Sequence, residues 1–540
     1  MMIPLPGMPQ SKSVDFESSN LPIIVIDTNG QKIRDEPRIA AHMGIVNNPE
    51  GARNHVTDIY NDYDGRINIE IRGQSSQMYP KKSYGFETQD EYGDNLNVSM
   101  LGMPEENDWI LYGPYSDKTL IRNALAFHLA RSMGGYASNT RFCELVINDE
   151  YRGIYLFMEK IKRDKNRVDI ATLTPADTTG DECTGGYIIK VDKTDDEQSP
   201  GWFSIEPPYS GWARFFFQCH DPAPDEIVPS QEIYIQNLIQ EFETVLISDH
   251  FNDPVAGYAR YIDANTFIDH FILREFSKEI DSYKYSTFMY KDKDSKDGRL
   301  KMGPFWDFNL GFGNVNFGHE RAMYIDGWMY NTGHPHMYWW YRLMEDENFQ
   351  NKLKYRWTEL RRGSFHLDSI ITFIDETTGY LEEARERNFE RWPVIGVWVW
   401  PNFYVGSSYT DEVNYLKQWV TDRLLWMDHY MPGAYDTGVV FVEEAANPQA
   451  GCRIYPNPFS SSTTISYRLF ESARIYVIIY NILGQKVKTL VDAFRVRGTH
   501  RAQWDGRDDY GCSVSNGLYV YVVYIHDRAA YRGKMLRHNF

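Results

Sequence analysis

The chain has 540 residues, too many for one ordinary hydrophobic core, so at least two domains are expected. A formal charge of −19 and the lack of any dense Lys/Arg run exclude the basic face that a nucleic-acid partner needs. No run of about 18 apolar residues occurs, so no transmembrane segment is expected.

From the N-terminus, residues 1–20 form a short segment, and Leu21–Asp27 (LPIIVID) reads as a strand closed by Thr28-Asn29-Gly30. A hairpin signal at Tyr63-Asp64-Gly65 precedes an alternating strand, Arg66–Arg72. The pattern turns helical from Asp117 to Met133, with Leu120, Ile121, Ala124, Leu125, His128 and Leu129 on one stripe and Gly134-Gly135 stopping it. A strand pair, Phe142–Asn148 and Gly153–Lys160, follows, and then a short strand, Gly186–Val191. Ser199–Pro229 reads as irregular, Ser230–Ser248 and Asp263–Glu279 as helices, and Ser286–Tyr290 and Leu300–Phe305 as strands. The chain is then mostly helical to Met431. Strands first, then mixed, then helices predict an α+β domain over 21–433.

A linker is expected over 434–450, and the remainder, 451–540, carries short alternating strands: Thr463–Leu469, Arg474–Asn481, Lys486–Val491, Thr499–Trp504 and Gly517–Ile525. These predict a small all-β sandwich. The five cysteines, Cys143, Cys183, Cys219, Cys452 and Cys512, contain no CxxC pair, so no zinc ribbon or disulfide framework is written. All five are read as structural, although in an oxidising compartment Cys452 and Cys512 could bridge; their proximity is left open.

Tyr- and Trp-rich stretches at Met337–Tyr341 and Trp392–Tyr404 have two readings, core packing and a sugar-stacking platform, of which packing is the commoner. The run Asp292-Lys293-Asp294-Ser295-Lys296-Asp297-Gly298 has calcium-loop composition, but its Gly is one position late and no twelfth-position Glu follows, so it reads as a charged turn.

Four segments carry the polar residues that phosphoryl transfer needs. Arg72-Gly73-Gln74-Ser75-Ser76 can offer backbone N–H groups and hydroxyls to phosphates, and Lys81-Lys82 after it can hold their charge. Gly153–Lys160 ends an apolar strand with Glu159, a candidate partner for Lys81 or Lys82. Asp281 lies in Glu279-Ile280-Asp281-Ser282-Tyr283-Lys284-Tyr285-Ser286. In Trp306-Asp307-Phe308-Asn309, an aspartate after an apolar strand can bind Mg²⁺.

In this order the segments resemble the CotH kinase family, whose members carry RGxSS…KKSY, GxY…E, an Asp at a helix end, and a WDxDxxxG or WDFN element. The resemblance covers roughly 20 to 430 and implies an atypical protein-kinase-like fold, ATP, Mg²⁺ and γ-phosphoryl transfer to Ser or Thr of a protein substrate. It implies Lys82 on the α/β-phosphates with Glu159 beside it, Arg72 and Ser75 in the phosphate-facing loop, Asp307 as principal Mg²⁺ ligand and Asp281 as the catalytic-loop carboxylate. Which of Lys81 and Lys82 faces the nucleotide stays open. Ser286 stands where a kinase-like loop places a metal-binding Asn, and Asn309 where many members have a second Asp. These two departures make a catalytically inactive surface-binding or adhesion protein the first alternative expectation, and the aromatic stretches make a glycan-binding surface protein the second.

Tyr455-Pro456-Asn457-Pro458-Phe459, Ile479-Tyr480-Asn481-Ile482-Leu483-Gly484-Gln485, Trp504-Asp505-Gly506 and Gly517-Leu518-Tyr519 resemble the type A sorting domain of the type IX secretion system, an immunoglobulin-like sandwich. That implies the secretion machinery as a partner and a secreted or cell-surface protein. The opening MMIPLPGMPQSKS has no basic n-region or apolar h-region, so the chain is expected either to start downstream of a signal peptide or to be cytosolic; the C-terminal module favours the first.

Overall fold

The computed structural model describes residues 11–49, 51–193, 201–209, 211–318, 322–332, 336–434, 452–469, 472–481, 485–525 and 528–538. The chain separates into two compact units, Met1–Lys417 and Gln418–Phe540. The division falls inside the helix Tyr409–Tyr430, earlier than the segment expected to link the domains, of which 435–450 lies outside the described residues.

Seven of the strands in the first unit are β1 (Ile23–Asp27), β2 (Ile39–Val46), β3 (Tyr63–Arg72), β4 (Ser83–Gln89), β5 (Asp108–Tyr112), β6 (Thr140–Ile147) and β7 (Glu150–Glu159). They close into a barrel in the order β6-β7-β5-β4-β3-β2-β1. Closure comes from a parallel pairing of β1 with β6, Ile23 opposite Glu144; the other barrel pairs are antiparallel. Strand alternation fills the interior with Ile24, Ile26, Met43, Ile45, Ile67, Ile69, Phe86, Trp109, Leu145 and Phe157. The intervening residues face outward, and Glu70, Gly85, Ile110 and Met158 lie in one cross-strand row.

The hairpin turn expected at Asp64-Gly65 is not one. Both residues pair within β3, opposite Gly44 and Met43. Glycine is needed at 65 because a Cβ there would stand 2.7 Å from the Tyr63 hydroxyl, so the dipeptide that reads as a turn makes room for a ring.

Between β5 and β6 runs α1 (Arg122–Ser132), shorter than its periodic stripe. Asp117 lies ahead of it, accepting from the N–H groups of Thr119 and Arg122 and from the Arg122 guanidinium at 2.6 Å. A second sheet, in the order β9-β10-β8-β11-β12, is built from β8 (Tyr187–Val191), β9 (Trp202–Phe203), β10 (Phe216–Asp221), β11 (Thr287–Lys291) and β12 (Lys301–Met302). Strands β9 and β10 fall in the stretch read as irregular. The helices α2 (Pro229–Ile247) and α3 (Ala264–Ser277) follow the expected periodicity. Asp263 caps α3 by accepting from Asn265 N, and Lys278 ends it in the left-handed region with φ 45°. The α3 helix is buried almost throughout; its His270 ring stacks on Trp340 and Phe305. The α+β expectation holds, with a closed barrel that the strand pattern did not disclose.

The second unit contains β13 (Cys452–Tyr455), β14 (Thr463–Leu469), β15 (Ala473–Asn481), β16 (Lys486–Arg495), β17 (Gly498–Trp504), β18 (Gly517–Ile525) and β19 (Arg528–Arg537). Two sheets, β13-β14-β17 and β16-β15-β18-β19, share one core of Ile465, Tyr467, Ile475, Val477, Ile479, Trp504, Tyr521 and Val523. Trp504 is fully buried between Phe459 and Tyr519. Asn457 binds the edge of β19, accepting from Leu536 N at 2.8 Å and donating to Lys534 O at 3.0 Å. The turn at Ile482-Leu483-Gly484 lies outside the described residues. No Cys452–Cys512 bridge forms: both are free thiols, and Cys452 Sγ reaches the Tyr521 hydroxyl at 3.6 Å. Among the described residues, no helix is long and apolar enough to cross a membrane.

Candidate active site

Strand β3 ends at Arg72, whose guanidinium lies over the Trp306 ring at 5.6 Å. Gly73 follows in the left-handed region at φ 95°, where a Cβ would collide with Ser76 Oγ, and Ser75–Met78 forms a single 3₁₀ turn. The result is a tight loop whose polar groups stand at the mouth of a cavity of about 290 Å³.

The opposite wall comes from the chain after α3 and from the turn after β12. Non-glycine residues in the left-handed region cluster here: Lys278, Tyr283 (φ 63°), Ser286 (φ 48°), Asp307 (φ 60°) and Phe312 (φ 52°). Each costs on the order of 1 kcal/mol or more, a strain that the surrounding packing must hold. Tyr283 is fully buried and donates to Glu275 Oε1 at 3.2 Å; the Glu279 carboxylate accepts from Leu310 N at 3.0 Å.

The cavity brings together six of the residues singled out in the sequence: Arg72, Ser75, Asp281, Ser286, Asp307 and Asn309. Ile110, Tyr112, Phe127 and Met158 form its apolar wall. Burial, then the charge of Asp281, pushes the Asp307 carboxyl up to about 6, against the pull of Arg274 and Arg72. Burial likewise raises Asp281, opposed by Lys284 and Lys193, while burial and both aspartates raise Glu279 well above the carboxylate range. In all three, desolvation is the leading cause, and neighbouring carboxylates add to it.

Mg²⁺ typically takes one or two protein carboxylates and completes its shell with water and phosphate oxygens. Asp281 and Asp307, sharing a cavity with the Asn309 amide and the Ser286 hydroxyl, fit that donor set. Among the described residues no group of three His, Cys, Asp or Glu side chains forms a self-sufficient metal cage.

Three predicted residues lie elsewhere. Lys81 is buried, 2% exposed, and donates to Ile154 O at 2.6 Å and Asn388 Oδ1 at 2.8 Å. Burial holds its pKa well below the usual lysine value. Lys82 donates to the Gln77 carbonyl. The expected pairing of Glu159 with either lysine is corrected: Glu159 Oε1 lies 3.1 Å from Arg167, and Oε2 accepts from Asn139 N at 2.8 Å and from Tyr136 at 3.1 Å. The reason is register. The first paired residue of β4 is Ser83, opposite Arg72, so both lysines precede the strand and its alternation does not aim them.

The family model for CotH kinase protein matches residues 69–427, which contain every one of these segments. The chain belongs to the CotH kinase protein family. A second model, the secretion system C-terminal sorting domain, matches 453–529 within the β-sandwich. This CotH-family protein is thus one that the type IX sorting module directs to the cell surface or beyond.

No curated protein matches. Among solved structures, dimeric latent PorU from Porphyromonas gingivalis is similar over 17% of this chain and 9% of its own, at 23% identity and a TM-score of 0.15. PorZ, a surface component of the type-IX secretion system of the same organism, is similar over 18% of this chain and 13% of its own, at 22% identity and a TM-score of 0.14. The alkylpurine DNA glycosylase AlkC of Pseudomonas fluorescens is similar over 37% of this chain and 65% of its own, at 11% identity and a TM-score of 0.12. Likenesses this small say nothing further about the CotH-family domain.

The cavity also holds residues that sequence reasoning passed over: Lys190, Asp192 and Lys193, at the end of β8. Lys190 lies opposite Phe288 in the sheet, and Lys193 stands over the Tyr285 ring at 5.0 Å. The available signal was a lysine interrupting an apolar strand, Tyr187–Val191, directly before an Asp. Of the aromatic stretches, Tyr338, Trp339 and Trp340 are core residues at 0% exposure, whereas Trp398 and Phe403 are exposed. The calcium-like run forms one helical turn, Asp294–Asp297, its carboxylates occupied by Lys291, Arg299 and the Ala171 N–H.

Proposed function

We propose that this chain is a secreted protein kinase that transfers the γ-phosphoryl group of ATP to Ser or Thr of an envelope or extracellular protein, using a kinase-like arrangement of its barrel and second sheet. The observation that carries the reading is the convergence of Asp281 and Asp307 with the Arg72–Ser76 loop on one cavity.

In this reading Arg72, Lys190 and Lys193 draw the triphosphate in, the last two taking the part the sequence assigned to Lys81 and Lys82. The Ser75 hydroxyl and nearby backbone N–H groups bind phosphate oxygens. Asp307, with Asp281, Asn309 or Ser286, would hold Mg²⁺, which supplies charge neutralisation on the phosphates. Asp281 orients the acceptor hydroxyl and takes its proton as the new O–P bond forms; the bond from Pγ to the bridging oxygen breaks, and ADP leaves.

The test is a thermal-shift titration with ATP and Mg²⁺ on the wild type and Asp307→Ala, because a ligand that binds only the folded state raises its stability. A Mg²⁺-dependent shift lost in the variant is the expected result. No shift in the wild type at millimolar ATP would sink the kinase reading in favour of a non-catalytic surface-binding protein of the same family.

A further inference from the structure

The two aspartates come from separate segments, Asp281 from the chain leaving α3 and Asp307 from the turn after β12. One side chain joins the segments. Arg274, in the last turn of α3 and 1% exposed, donates from Nη2 to Ser286 O at 3.1 Å and to Trp306 O at 3.0 Å. Its guanidinium lies over the Phe308 ring at 4.5 Å, and Phe308 N is in turn bound by Asn123 Oδ1 of α1 at 2.7 Å.

The two carbonyls are not ordinary ones. Ser286 is itself in the left-handed region, and Trp306 immediately precedes Asp307, which is also left-handed. Neither position is a glycine, so each conformation must be held by its surroundings. The remaining guanidinium donors, Nε and Nη1, have no hydrogen-bond partner among the described residues. Such a buried cation is costly unless its charged form is favoured by neighbouring carboxyl groups, here Glu279, Asp307 and Asp281.

We infer that Arg274 is a positioning residue: it clamps the Ser286 and Trp306 carbonyls on one nitrogen, holding both strained segments at the spacing that lets Asp281 and Asp307 share one cation. This deepens the phosphoryl-transfer reading and rests on it for the identity of what is bound, while the clamp can be tested without it. Arg274 does not line the cavity and acts only through the two aspartates.

The experiment is hydrogen–deuterium exchange on the full chain for wild type, Arg274→Lys and Arg274→Met, with Mn²⁺ binding measured by electron paramagnetic resonance. In Arg274→Met the amides of 281–287 and 305–310 should exchange at least about tenfold faster with β3 unchanged, and Mn²⁺ should bind about tenfold or more weakly. Arg274→Lys keeps the charge but loses the planar fork, so it should recover less than half of either effect. The inference is overturned if Arg274→Met exchanges like wild type in both segments, if Arg274→Lys fully matches wild type, or if both variants lose protection uniformly, which would make Arg274 a packing residue. Wild-type protein that binds no Mg²⁺-nucleotide would instead sink the kinase reading, and the exchange pattern would still decide the clamp.

Discussion

Arg167 and Glu159 form an ion pair at 3.1 Å with both side chains completely shielded from solvent. Removing one partner of a buried pair leaves the other charged and uncompensated, which costs about 3–5 kcal/mol. Arg167→Met should lower the urea midpoint of the first unit accordingly. Glu159→Gln should also destabilise while leaving Mg²⁺-ATP affinity near wild type below its melting range. Loss of nucleotide affinity in a stable Glu159→Gln protein would restore the sequence-based pairing of Glu159 with a phosphate-binding lysine.

The raised Asp307 carboxyl links the site to pH. Between the unfolded value of 3.8 and about 6, folded Asp307 holds a proton that the unfolded chain has released, so its contribution to stability falls as pH rises through that window. Asp307→Asn should therefore stabilise the ligand-free protein at pH 7 by about 2 kcal/mol, allowing for partial exposure. Metal binding needs the ionised form, so the Mg²⁺-dependent thermal shift of wild type should grow from pH 5 to pH 7 and be missing in the variant. Melting curves across that range check both signs.

Lysines that look equivalent in the sequence should behave differently. Lys190→Ala, on the cavity wall, should weaken ATP binding by about tenfold, the equivalent of about 1.4 kcal/mol, with little change in stability. Lys81→Ala should do the reverse, since it removes two buried hydrogen bonds, to the Ile154 carbonyl and to Asn388 Oδ1, which keeps only the Ile154 N–H, at a cost of about 1–3 kcal/mol. Calorimetric titration and chemical denaturation of the two variants distinguish the roles.

Deleting residues 452–540 removes the sorting module. The truncated chain should accumulate in the periplasm when the full chain reaches the surface or medium, which cell fractionation and immunoblotting would show. The shorter chain arriving outside in wild-type amounts would locate the export signal elsewhere.

Much of this protein was legible in its sequence because it is written in short windows. Period-two alternation marked Thr463–Leu469 and Gly517–Ile525, helical spacing marked α2 and α3, and the motifs around Asp281 and Asp307 carried both carboxylates to one cavity. The tertiary structure decided which groups meet. Barrel closure depends on β1 finding β6 more than a hundred residues away, Glu159 takes Arg167 over Lys82, and Lys190 reaches the site only because β8 runs beside β11. Local periodicity follows from the geometry of a few consecutive residues. The choice of partner for a buried charge, by contrast, follows from packing and desolvation, and periodicity does not encode it even where, as for Glu159 and Arg167, both partners lie in one short stretch of chain.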